Sequence, residues 1–242
     1  MSRKGNPVIL KGLDMTKGDV SYERMTLAGT IAKSIILFLI LGASFLYSYS
    51  MTINGGSNIL VASGIISVVL VIVTMIKPKI AKYTAIIYAA AQGFLLGAVS
   101  NVINGIYPGI ATQAIFITIV VAIVTLLIYR SAPSFAAKIR KVVFIGIISV
   151  VVIQLLSMVG GIFGMSSPIY GNGSIGIGIG FSIIVIILAA FSLMTDFDNI
   201  SNAVNYGAPK YMEWFCSLGL MITLIWLYTE ILNLLSKFAS RD

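Results

Sequence analysis

Histidine is absent from this 242-residue chain, and cysteine occurs once, at Cys216. Without imidazole there is no His-based zinc site, no Ser-His-Asp triad and no histidine pH switch. A single thiol excludes an internal disulfide and a cysteine cluster for metal. Charge is also scarce, at 10% of residues, and only eight of those side chains are acidic against 16 Lys and Arg. No cleavable signal sequence is visible either, since the first 30 residues are polar and charged and lack a short apolar core. The first apolar run is therefore expected to direct its own insertion.

What is present is apolar. Hydrophobic residues make up 58% of the chain and the mean hydropathy is +1.02. A soluble domain of this length cannot hide that much apolar surface, so part of its solvent is lipid. Long apolar runs fall at about 31–50, 57–76, 83–103, 109–129, 142–163, 175–195 and 214–236. Each is long enough to cross a bilayer, where only a helix satisfies its own backbone. The separators "MTINGG", "KPKIAK", "NGIYPG", "RSAPSFAAKIRK" and "GMSSPIYGNGS" are rich in turn-forming residues. The expected fold is thus an all-α integral membrane protein, a seven-transmembrane helix bundle over residues 31–242 preceded by a basic cytoplasmic segment, 1–30.

Lys and Arg set the expected orientation. Arg3, Lys4, Lys11, Lys17, Arg24 and Lys33 lie in or beside the N-terminal segment. Lys77, Lys79 and Lys82 lie in the second connection, and Arg130, Lys138, Arg140 and Lys141 in the fourth. The other early connections carry none, which places the N-terminus in the cytoplasm. With seven spans the C-terminus is then outside, where Lys237 and Arg241 run against the rule. Either those two follow the last helix across, or that helix does not cross fully. The net charge of +8 reads as anchoring against anionic lipid rather than nucleic-acid binding.

Small residues at helix-contact spacing, Ala89, Gly93 and Gly97 in the third run and Gly176 and Gly180 in the sixth, predict close helix packing. The run "IGIGIG" (175–180) suggests a carbonyl-lined ion filter, but a flexible helix start is the plainer reading.

Acids inside apolar runs are costly and mark functional paths. Glu213, beside Trp214, reads as interfacial, which leaves Asp196, Asp198 and Glu230. Thr223, Glu230, Asn233 and Lys237 share one polar stripe of the last helix, and Ser182, Ala189, Ser192 and Asp196 share one on the sixth. Asp198 points about 200° away from Asp196, toward cytosolic water or Lys210. The plain alternative makes Glu230 a neutral packing residue and Asp196 a helix-end charge.

Several of these stretches, in order, resemble one family. "YTEILNLL" (228–235) and "DFDNI" (196–200) resemble the last-helix and sixth-helix signatures of the Bax inhibitor-1 (transmembrane Bax inhibitor motif) family. "MTLAGTIAK" (25–33), with the pattern Met-Thr-x-x-Gly-x-x-x-Lys, and "GAPKYMEW" (207–214) are similar to its bacterial, YccA-like branch. The resemblance implies a bundle with the last helix central, in a bacterial plasma membrane, acting as a pH-sensitive calcium leak. It implies a proton-sharing acidic pair, carried over to Asp196 and Glu230, and a basic gating partner for which Lys79 and then Lys77 are candidates. Asp198 is a further gating candidate. It also implies an alternative role, a regulator that binds a membrane protease or cell-death machinery. No enzyme activity and no resident cofactor are expected; calcium and protons are the expected ligands, held in passing by Asp196 and Glu230.

Two carboxylates in one poorly solvated site cannot both ionise cheaply, so such a pair shares a proton. Its deprotonated oxygens attract a hard cation such as calcium. The two acids are 34 residues apart, however, and they meet only if part of 199–213 adds no helical height. Otherwise Glu230 is a lone buried acid and Asp196 pairs with a lysine.

Overall fold

A computed structural model describes residues 23–51, 57–163 and 175–240 of the chain. The basic segment 1–22, with Arg3, Lys4, Lys11 and Lys17, lies outside the described residues, as do "GMSSPIYGNGS" and Arg241. The described residues form α1 (Leu27–Ser50), α2 (Ser57–Ile76), a short 3-10 turn (Pro78–Ile80), α3 (Ala81–Ile106), α4 (Ile110–Ser131), α5 (Pro133–Ile162), α6 (Ile175–Asn205) and α7 (Met212–Ala239). All seven long helices are apolar enough to span a bilayer, and no strand occurs among the described residues. The chain is an all-α, seven-span integral membrane protein. Large apolar side chains such as Leu39, Phe116, Val142 and Leu156 stand exposed along the helices, an arrangement that only lipid makes cheap. In the apolar stretch of α7, 61% of residues are buried, against 11–39% in the other six. The last helix is therefore the most enclosed.

Three boundaries differ from the sequence expectation. Helix α1 starts at Leu27 because Thr26, in extended backbone, caps it by accepting a hydrogen bond from Gly29 N–H. Helix α5 starts at Pro133, so Lys138, Arg140 and Lys141 lie on the helix rather than in a loop; proline suits a first turn, where its missing N–H costs nothing. Helix α6 runs to Asn205, ten residues past the expected end at 195. Gly207, at φ +67°, then ends it: Gly207 N–H donates to Val204 O and Ala208 N–H to Ala203 O, which is the Schellman pattern. Of residues 199–213, only 206–211 leave the helix.

The chain divides into two compact units. The first holds α1, α2, α3, the end of α6 and the start of α7. Its core gathers Met25, Ala81, Ile200, Ala203, Ala208, Met212, Phe215 and Cys216. Helices α1 and α3 touch backbone to backbone: a Cβ on Gly93 would stand 2.3 Å from Leu41 O, and one on Gly97 2.2 Å from Phe45 O. Ser44 Oγ donates to Ala90 O at 2.7 Å in the same seam. Across the α2–α3 turn, Thr74 Oγ1 donates to Thr84 Oγ1 at 2.6 Å.

The second unit holds α4, α5, most of α6 and the end of α7. A Cβ on Gly146 of α5 would meet Leu188 Cδ1 of α6 at 2.7 Å, and Phe135 and Phe191 pack edge to face at 6.0 Å. Gly180, by contrast, has nothing within 4 Å of a built Cβ. The small-residue expectation holds at Gly93 and Gly97, while Gly180 lies in open space.

Candidate functional site

In the first unit the chain entering α1 is laced to the α6–α7 turn. Arg24 and Pro209 form an antiparallel bridge, with Met25 N–H donating to Ala208 O at 2.7 Å and Lys210 N–H to Glu23 O at 3.0 Å. That register brings the α1 N-terminus onto Glu213, in the first turn of α7. Glu213 is 1% exposed. Its Oε1 accepts from Thr26 N–H at 2.9 Å and from Thr26 Oγ1 at 3.1 Å, and its Oε2 accepts from Lys33 Nζ. Lys33 also stands 5.8 Å from the Trp214 ring centroid. Deeper along the same contact, Ser34 Oγ donates to Ser217 Oγ at 3.0 Å.

This arrangement corrects the interfacial reading of Glu213. A position beside a tryptophan at the end of an apolar run looks like a membrane surface, but here it is sealed by residues nearly two hundred positions away in sequence. The signal was present in "MTLAGTIAK". Met25 enters the core, Thr26 caps α1 and binds Glu213, and Lys33 neutralises it. Gly29 leaves room for the carboxylate, since a Cβ there would stand 2.2 Å from Glu213 Oε1. Each fixed position of the pattern has a physical task.

Asp196 belongs to this unit, half-buried in α6, and its charge acts on buried Cys216 of α7. Asp198 does not face water. It is 8% exposed and accepts from Asn202 Nδ2 at 3.0 Å. The reason is the longer α6: Asp198 is mid-helix, beside buried Asn199 and Ile200, rather than at a frayed end. Lys210 pairs with Glu23 at 2.7 Å instead. Lys77 precedes the turn before α3 and Lys79 lies within it, both exposed.

In the second unit Glu230 is 5% exposed. Trp226 and Asn233, one turn before and after it, act on its carboxylate, as does the Lys237 charge. Its Oε2 nonetheless lacks a hydrogen-bond partner among the described residues. Thr223 is buried on the same stripe, and Asn233 and Lys237 are half-buried. Lys237 Nζ donates to Gly178 O at 3.1 Å and to Ser182 Oγ at 2.9 Å on α6. Ser182, Ala189 and Ser192, the small stripe of α6, are all buried. The "IGIGIG" run is helical, so its carbonyls form no filter.

Among the described residues no group of three or more His, Cys, Asp or Glu side chains is placed to hold a metal ion. What the first region offers is a buried acid paired with lysine, and what the second offers is a buried acid with one oxygen lacking a partner among the described residues, each within apolar helices. A family model described as Bax inhibitor 1 like matches residues 6–240. No curated protein and no solved structure matches the chain.

Proposed function

The chain belongs to the Bax inhibitor 1 like family, and from that premise we propose that it is a cation leak pathway, with calcium as the permeant ion. Protonation of Asp196 and Glu230 sets the balance between its closed and open states. The reading takes the N-terminus as cytoplasmic and the membrane as a bacterial plasma membrane, of the YccA-like branch. One observation carries it: Glu230 is a buried acid, on the most enclosed span, with one carboxylate oxygen lacking a partner among the described residues. A structural acid in lipid is normally satisfied on every side, and one that is not is suited to exchange a proton or meet a passing cation. Lys77, Lys79 and Asp198 are the charged candidates for holding the closed state. Calcium flux into liposomes carrying the purified protein tests this, with Glu230→Gln and Asp196→Asn as the variants.

A second reading has its own support. The bridge from Arg24 to Pro209 ties the N-terminal segment directly to the α6–α7 turn. A partner that captures that segment, such as a membrane protease or a component of cell-death machinery, would act on both helices. Deleting residues 1–22 abolishes partner capture under this reading and leaves the helices folded; unchanged capture counts against it.

A further inference from the structure

Helix α1 meets its neighbours in the first unit through two different kinds of contact. Against α3 it packs backbone on backbone at Gly93 and Gly97, with Ser44 Oγ donating to Ala90 O and Asn101 Nδ2 to Tyr49 O. Packing that close has one register, and neither helix slides in it. Against α7 it is bonded through two α7 side chains, Glu213 and Ser217. Ser34 Oγ donates to Ser217 Oγ at 3.0 Å. Ser217 Oγ in turn has two carbonyls to donate to, Thr30 O of α1 at 3.0 Å and Glu213 O of its own helix at 2.7 Å. Parting α1 from α7 therefore strands neither hydroxyl. Ser217 keeps the nearer Glu213 carbonyl, and Ser34, four residues after Thr30, turns to the Thr30 carbonyl that Ser217 leaves. Lys33, whose side chain is 18% exposed, reaches water by extending its stem along the helix. What the parted arrangement loses is the bond between Lys33 and Glu213.

One end of that contact is fixed. Main-chain bonds tie residues 23–25 to the α6–α7 turn, and Thr26, in extended backbone, joins that tie to the first turn of α1. We propose that α1 and α3 swing as one body about Thr26 and open the α1–α7 seam at Ser34 and Ser217, with the Lys33–Glu213 pair as the latch that holds it shut. Thr26 stays on the Glu213 carboxylate through its N–H and its hydroxyl, so the acid at the pivot keeps two donors when the latch opens. Opening admits water to Glu213 and separates the start of the first span from the start of the last. The inference concerns residues that the leak reading does not use, and its readout needs no ion flux.

The test reads thiol labelling by N-ethylmaleimide in the full chain in detergent, with Cys216→Ala removing the native thiol. Ser217→Cys reports on the α1–α7 seam. Ser48→Cys, between the Phe45 and Tyr49 contacts with α3, reports on the α1–α3 seam. Both serines are fully buried, and Ser48 Oγ has no hydrogen bond to lose among the described residues. Adding Lys33→Met is expected to speed labelling at Ser217→Cys about tenfold or more, as loss of a charge-assisted bond requires. Labelling at Ser48→Cys is expected to stay within about twofold. Glu213→Gln breaks the same latch and serves where Lys33→Met does not fold. Folded variants with unchanged labelling at Ser217→Cys would overturn the proposal. Equal acceleration at both positions would overturn it too, because that marks general loosening rather than a swing. The leak reading fails separately: wild type that passes no cation sinks the path, while faster labelling at Ser217→Cys alone still upholds the latch.

Discussion

Lys33 of α1 donates to the carboxylate of Glu213 in the first turn of α7, and Thr26 donates to the same carboxylate through both its N–H and its hydroxyl. One buried acid thereby joins the start of the first span to the start of the last. Removing one partner of a buried pair leaves an uncompensated charge, which costs about 3–5 kcal/mol. Glu213→Gln and Lys33→Met are each expected to lose stability of that order in detergent unfolding. The double variant should lose less than the sum, because it strands no charge. Additive losses would mean that the pair is not a unit.

Glycine contacts give a sharper contrast. Gly93→Ala and Gly97→Ala drive a methyl into backbone oxygens of α1, which cannot swing aside. Each is expected to cost about 1–3 kcal/mol or force α1 and α3 apart. Gly180→Ala, in open space, should be neutral or slightly stabilising, since alanine is the better helix former. Melting temperatures of the three variants decide this.

Much of the fold was legible because seven apolar runs in lipid admit only helices. Charge misled at α5, where Lys138, Arg140 and Lys141 looked like a loop but sit on a helix opened by Pro133. Local pattern also could not reveal the depth of Glu213. Its burial is made by Thr26, Gly29 and Lys33, and only the return of the α6–α7 turn to residues 23–26 brings them together. Asp198 was misread for the related reason that Gly207, not residue 195, ends α6. The polar stripe of α7 was readable from spacing alone, since Thr223, Glu230 and Lys237 recur at sevens on one helix.

Lys210 supplies a control for pH effects. Its hydrogen bond to Glu23, and that carboxylate's charge, raise the ammonium above its ordinary value of 10.5. A raised lysine contributes fully below its unfolded value and loses that contribution only as pH climbs through the higher folded one. Nothing from this lysine changes between about pH 5 and 8, where carboxylates raised by burial titrate. Lys210→Met should therefore leave the pH profile of ion flux where it is in wild type. A shifted midpoint would place the sensor at the α6–α7 turn.

Asp196 and Glu230 have different surroundings. Asp196 acts on Cys216, four residues into α7, while Glu230 lies fourteen residues further on with Trp226, Asn233 and Lys237 around it. Their substitutions are expected to act additively on flux, within about 0.5 kcal/mol when rates are converted to free energies. A coupling above about 1 kcal/mol would instead mark one shared proton.

The most direct test of the central claim is calcium flux as a function of pH in liposomes, wild type against Glu230→Gln. Wild type is expected to pass calcium with a rate that changes across the neutral and mildly acidic range. Glu230→Gln, which keeps the side chain's size and cannot ionise, should pass calcium at a rate that no longer follows pH at that step. An unchanged pH profile in Glu230→Gln, or no calcium flux from wild type at any pH, would contradict the account.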